Sequence, residues 1–183
     1  MLSEDAGALV DRARAGDEDA WEELYRRAYP RLHAYAQRRL DADGARDAVS
    51  ETMVRAVAAI DRYQPLSGTG GFEGWLFGIC RHVVLDAQRA AGRRGYDPPV
   101  EVAVHVDFTE GLVSVEEAAA VRAAFARLSD DDRELLELRV VAGLSAEEAA
   151  AVLGRRPGAV RMAQSRALAR LRRHLEAAET RTC

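Results

Sequence analysis

Arg155, Arg156, Arg161 and Arg166 stand in a stretch, Leu144 to Leu175, that carries seven arginines and no acid after Glu148. The chain as a whole is acidic, with a formal charge of -4, so positive charge is gathered here against the trend. Every basic residue is arginine and none is lysine. A guanidinium is a fixed fork of donors that matches phosphate oxygens and the edge of guanine, and a glutamine amide such as that of Gln164 matches adenine. The chemistry these residues point to is the reading of a duplex groove. Arg170, Arg172 and Arg173 lie further on, where cations complement a helix C-terminus or touch phosphate.

Such side chains must be held in register by the elements around them. Ser145 and Glu148 have the spacing of a capping box, and Gly154 ends that helix after two turns. Pro157 suits the first turn of a last helix running to about Glu176. A short capped helix, a tight turn and a longer basic helix make a helix-turn-helix, whose second helix enters the major groove N-terminal end first. Val160, Leu168 and Leu171 are expected to face the core. Upstream, a helix over 114–127 presents Val121 and Phe125, with Leu128 just beyond. Ser129 caps the next one, with Asp130, Asp131 and Asp132 in its first turn and Gly143 at its end.

The first half reads as helices too. Trp21, Leu24, Tyr25, Ala28 and Tyr29 share one apolar face, which Pro30 is expected to interrupt or kink. A helix from about Ala45 to Asp61 turns Val49, Thr52, Met53, Ala56 and Ile60 to one side. The Gly- and Pro-rich segment RYQPLSGTGG is a loop. Phe72 to about Ala91 is a long helix with Trp75, Leu76, Ile79 and Val83 inward. Gly95 to Val113 has adjacent prolines, several acids and no helical period, which predicts a linker with an alternating, strand-like run near Val100 to Val106. The expected fold is all-α: two small helical domains joined by a flexible linker, the second a helix-turn-helix.

Composition narrows the classes. With 48% hydrophobic and 31% charged residues the chain balances like a globular protein rather than a disordered one. No apolar run is long enough to span a bilayer, so no membrane insertion is expected. MLSEDAGALV lacks the basic start of a signal peptide. Cys80 and Cys183 are far apart and read as reduced thiols of a cytoplasmic protein. His33, His82, His105 and His174 are dispersed, and neither a metal spacing nor a nucleophile motif accompanies them. An enzyme is therefore set aside, and no cofactor or metal is expected. A stand-alone helix-turn-helix regulator is the rival reading. It would bind DNA tightly by itself, usually as a symmetric dimer. A net acidic chain is poorly suited to that, because non-specific affinity comes from neutralising phosphates.

RAAFARLSDDDRELLELRVVAGLSAEEAAAVLGRRPGAVRMAQSRALARLR resembles the C-terminal domain of bacterial sigma factors. EDAWEELYRRAYPRLHAYAQRRL, RDAVSETMVRAVAAIDRY and GFEGWLFGICRHVVLDAQRAAGRR resemble their second conserved region. The order, with nothing further between, is that of the extracytoplasmic-function (ECF) group of the sigma-70 family. The resemblance implies a factor that binds core RNA polymerase and directs promoter-specific initiation at minus-ten and minus-thirty-five elements. It divides the chain into residues 1–94 for core binding and minus-ten melting, a linker over 95–113, and 114–183 for the minus-thirty-five element.

By resemblance, Asp47, Val49, Ser50, Glu51, Thr52 and Arg55 meet the clamp helices of the beta-prime subunit of RNA polymerase. Arg46 and Ser50 depart from the family's usual acid and glutamine. Gln64, Ser67, Gly68 and Phe72 match the part that captures a flipped minus-ten base, a step that offsets the cost of unstacking. Arg81, His82, Asp86, Arg89 and Arg93 would follow the non-template strand; His82 stands where the family commonly has asparagine. Arg155, Arg156, Arg161, Met162, Ser165 and Arg166 would read the minus-thirty-five element, with Ala163 in place of the family's usual second arginine. An anti-sigma protein is the further expected partner.

Overall fold

The structure, a computed structural model, describes residues 6–64, 71–93 and 115–179, and every regular element in them is helical. The linker, the strand-like run near Val100 to Val106, Ser67 and Gly68 lie outside the described residues.

Four helices build the first half: α1 (Ala6–Arg14), α2 (Glu18–Gln37), α3 (Ala42–Ala59) and α4 (Phe72–Arg93). Asp17 caps α2 by accepting from the Ala20 amide at 3.1 Å, and Asp41 caps α3 through the Gly44 amide at 2.7 Å. A single 3-10 turn, Ile60–Arg62, follows α3. Sequence periodicity leaves α1 unannounced, yet it buries Leu9, Val10 and Ala13. Pro30 does not interrupt α2, which runs through it. The cost is one backbone bond to the Arg26 carbonyl, and Pro30 is on an exposed face where water can take that place.

The second half holds α5 (Val115–Ala126), α6 (Asp130–Leu136), α7 (Ala146–Leu153) and α8 (Pro157–Glu179). Ser129 caps α6 through the Asp132 amide at 3.3 Å. After α6 the chain widens into one π-turn, Glu137–Val141, where the Ala142 amide reaches back to the Glu137 carbonyl at 2.7 Å. Both bonds of the Ser145–Glu148 capping box form, at 3.1 and 2.7 Å. Gly154 closes α7 at φ 64°, a left-handed position that side chains with a Cβ resist.

Two apolar clusters result. One joins Leu24, Leu32, Tyr35, Val49, Leu76 and Val84 of the first half to Leu135, Leu138, Leu144 and Ala149 of the second. The other is local to the second half, with Leu128, Leu136 and Ala167 packed by Phe125 and Leu171. Neighbouring Leu135 and Leu136, about 100° apart on the helix, thus enter different clusters, and α6 bridges the halves. On α8, Val160 and Ala167 are buried, but Leu168 is exposed, contrary to expectation. Seven residues bring Ala167 back over Val160, while Leu168 falls a further 100° round.

Candidate nucleic-acid interface

α6, α7 and α8 form the helix-turn-helix, and its register is set by an arginine. Arg139 of the π-turn donates through Nε to Gln164 Oε1 at 2.9 Å and through Nη1 to the Leu144 carbonyl. It ties the loop before α7 to the middle of α8. Gln164 is half-buried and committed to this bond, so it does not serve as the adenine reader that its residue type invited.

With Val160 inward, Arg156, Arg161, Met162, Ser165 and Arg166 are exposed on α8 or at its start. Arg161 places Nη1 and Nη2 at 3.1 and 3.0 Å from Glu147 Oε1, and Arg155 Nη2 lies 2.7 Å from Asp131 Oδ2. Both are exposed pairs of small net worth, so an anionic ligand competes with them readily. Arg170 is spent differently. Its Nε and Nη2 meet the two oxygens of Asp132 at 2.7 and 2.8 Å. That contact holds the Asp132 carboxyl below its usual range, against a smaller opposing effect of burial.

On α3, Asp47, Ser50, Glu51 and Arg55 are exposed on one face, with Val54 among them 64% exposed. The spacing i, i+3, i+4, i+7, i+8 from Asp47 includes Val54, so periodicity alone could have found this apolar residue. Val49 and Thr52 are fully buried instead, and Thr52 donates Oγ1 to the Ala48 carbonyl at 2.6 Å. They pack α3 against the core rather than face a partner. Glu51 is paired with Arg55 at 2.7 Å.

The strand-following set divides. His82, Asp86 and Arg89 are exposed along α4, with Arg89 bonded to Asp86 at 2.9 Å. His82 Nδ1 is 2.7 Å from the Gly78 carbonyl. Arg93 is the last residue of α4. Phe72 is buried at 6% exposure, edge-on to Tyr63 and tilted against Trp75. Phe72 therefore clamps the two ends of the loop together and is not a stacking platform. Arg14 donates to the Tyr63 carbonyl at 2.7 Å and fixes the turn from which exposed Gln64 leaves.

Arg81 is half-buried, and its partner lies in the other half. Its Nε and Nη2 contact Glu134 Oε1 and Oε2 at 3.0 and 3.2 Å, and the Tyr35 hydroxyl donates to Oε1 at 3.0 Å. Nearby, Arg39 reaches Glu137 at 2.5 Å with its guanidinium 3.9 Å from the Tyr35 ring centroid, and Arg38 is 3.8 Å from the same carboxylate. Burial lowers the Arg38 pKa and raises that of Tyr35. None of Arg38, Arg39, Glu134 and Glu137 was singled out from sequence.

A basic helix with no acid before Glu176, in a braced helix-turn-helix beside a four-helix unit with a mixed polar face, is the arrangement of a DNA-reading factor in class. The model of the ECF sigma factor family matches residues 3–179, and the chain belongs to that family. It is a transcription-initiation factor of the sigma type. It is 39% identical over 180 residues to the ECF RNA polymerase sigma factor ShbA of Streptomyces griseus, covering 91% of this chain and 93% of that one. Sigma factor SigD of Mycobacterium tuberculosis is 35% identical over 187 residues, covering 97% and 87%. Among solved structures, CnrH in complex with the cytosolic domain of CnrY is similar at TM-score 0.67 and 28% identity, over 93% of this chain and 96% of that one. RpoE in complex with the anti-sigma factor NepR, from Bartonella quintana, is similar at TM-score 0.65 and 28% identity, over 85% and 96%. Among the described residues no helix is long and apolar enough to cross a membrane.

Proposed function

We propose that the chain binds core RNA polymerase through the exposed face of α3 and reads promoters at two places. Residues 1–94 supply core binding and minus-ten melting, and residues 114–183 supply minus-thirty-five reading. Asp47, Ser50, Glu51 and Arg55 meet the clamp helices of the polymerase. Gln64 and the α4 stripe from His82 to Arg93 follow the melted strand. Arg156, Arg161, Met162, Ser165 and Arg166 enter the major groove. The chain is not an enzyme and works in the cytoplasm. The likeness to the sigma factor RpoE, solved in complex with the anti-sigma factor NepR, supports an anti-sigma partner here too.

The observation that carries the reading is the asymmetry of α8. Its outer face is cationic while the chain is acidic, so DNA affinity alone is low and the polymerase supplies the rest. The test is in vitro transcription with purified core polymerase over a pool of genomic fragments, with and without the protein. New discrete start sites sharing two upstream elements are expected. No new starts, together with tight sequence-specific binding by the protein alone, would favour a stand-alone regulator.

A further inference from the structure

Along the seam between the halves lies a cavity of about 350 Å³, at the lower end of the range for small-molecule sites. The end of α2 brings Arg38 and Arg39 to its wall, α4 brings Leu85 and Gln88, and α6 with its π-turn brings the rest. None of the residues assigned above to polymerase or promoter lines it. The charges around it pair off, with one exception. Each acid of the wall has an arginine of its own. Asp130 has Arg133, Asp131 has Arg155 at 2.7 Å, Glu134 has Arg81 at 3.0 Å and Glu137 has Arg39 at 2.5 Å.

That leaves Arg38 in surplus, although it is only 8% exposed. Its Nε is 3.8 Å from Glu137 Oε1, beyond hydrogen-bond reach, and Arg39 already neutralises that carboxylate. Its Nη1 donates to the Ala34 carbonyl at 3.2 Å, which satisfies the end of α2 but cancels no charge. Its Nη2 is buried and has no partner among the described residues. A lysine or histidine there could shed its proton, whereas a guanidinium keeps its charge. A buried charge is costly unless one of opposite sign meets it. Burial lowers the Arg38 pKa, and the neighbouring Arg39 acts in the same direction, as for a cation short of counter-charge. The uncommitted Nε–Nη2 edge is a fork that can take a carboxylate or a phosphate through two parallel bonds.

We propose that this cavity is a binding site for a small oxyanion, a phosphate or carboxylate group that is free or carried on a small metabolite, held by the Nε–Nη2 edge of Arg38. The surplus of one positive charge sets the sign of the ligand. Gln88, whose amide reaches the Arg39 carbonyl at 3.4 Å, adds a neutral donor to the same wall, and Leu85 adds an apolar surface for the body of the ligand. The site stands apart from the groove-reading face of α8 and from the exposed face of α3, and it does not depend on how either is read.

The test is thermal melting of the full chain at fixed ionic strength, with chloride replaced stepwise by inorganic phosphate, acetate or glycerol 3-phosphate. Two variants accompany the parent. Arg38→Gln removes the charge and keeps a donor for the Ala34 carbonyl. Leu85→Trp fills the cavity from α4 and leaves Arg38 in place. A ligand at about ten times its dissociation constant is expected to raise the parent melting temperature by about 3–6 °C. Both variants are expected to lose that rise. A response to phosphate or acetate identifies the free anion as sufficient, and a response to glycerol 3-phosphate alone identifies a ligand whose body is also held. No rise with any of the three would overturn the site. So would a rise that persists in either variant, since the anion would then sit elsewhere, as on the exposed arginines of α8. If Arg38→Gln does not fold, Leu85→Trp decides by the same criterion.

Discussion

Arg139 and Gln164 are 25 positions apart in sequence and 2.9 Å apart in the fold, with the arginine also holding the Leu144 carbonyl. This junction fixes the angle at which α8 leaves the helix-turn-helix. It explains why a glutamine on the recognition helix is turned away from solvent.

Replacing Arg139 by alanine removes two charge-assisted bonds and leaves a half-buried carbonyl and amide without them. The expected loss is about 1–2 kcal/mol of stability in the second half, discounted for partial exposure. Promoter-specific initiation falls with it, while binding to core polymerase is kept. Thermal melting and co-elution with core enzyme measure the two separately. A variant with the parent melting temperature would show that the junction carries no weight.

Arg161→Ala and Arg166→Ala test the groove-reading face. Each bidentate base contact discriminates by about 1–3 kcal/mol, so a loss of about tenfold to a hundredfold in promoter-specific initiation is expected where such a contact is made. Both side chains are exposed on α8, so the melting temperature should barely change. Glu147→Gln should act in the opposite direction on Arg161, because it removes the carboxylate that now occupies the guanidinium. Equal start-site use by the two alanine variants and the parent would contradict the assignment.

Much of the second half was legible because its signals are local. The Ser145–Glu148 box, the left-handed Gly154 and Pro157 each act within one or two turns, and all three do what their residue types predict. The seam is different. Glu134 meets Arg81 across 53 positions and Tyr35 across 99, and nothing in the neighbourhood of either announces the pairing. On α8 the expected inward places of Val160 and Leu171 hold, and only Leu168 is misplaced, since Ala167 takes the buried position between them. Thr52 and Val49 were correctly put on the inner face of α3 by periodicity, and the family likeness pulled them toward a partner that burial keeps away. Phe72 followed the same pattern, since its place next to the loop hid its role in the Tyr63–Trp75 cluster.

Charge reversal at Asp47 and Glu51 tests the α3 face. Asp47→Arg and Glu51→Arg together are expected to weaken binding to core polymerase by at least tenfold. Glu51→Arg also leaves Arg55 beside a like charge one turn away, a cost of a few tenths of a kcal/mol in the helix. Val54→Ala, on the same face, should weaken core binding without changing charge. Unchanged affinity in all three would place the polymerase contact elsewhere.

Acid should loosen the second half through Asp132. Its folded carboxyl is held below the ordinary value by Arg170, so the folded state binds that proton less readily than the unfolded chain does. The stabilisation is fully present above the unfolded carboxyl value, near 3.9. It drains away as pH drops through the lower folded value. Asp132→Asn removes this contribution at neutral pH while keeping shape and one acceptor. Melting curves of parent and variant should therefore differ most near pH 7 and converge as the pH is lowered below about 4, apart from effects shared by all carboxylates. The sign matters: a gap that widened on acidification would mean that the Asp132 carboxyl is raised rather than lowered. Arg170 would then be a cation near an acid and not its partner.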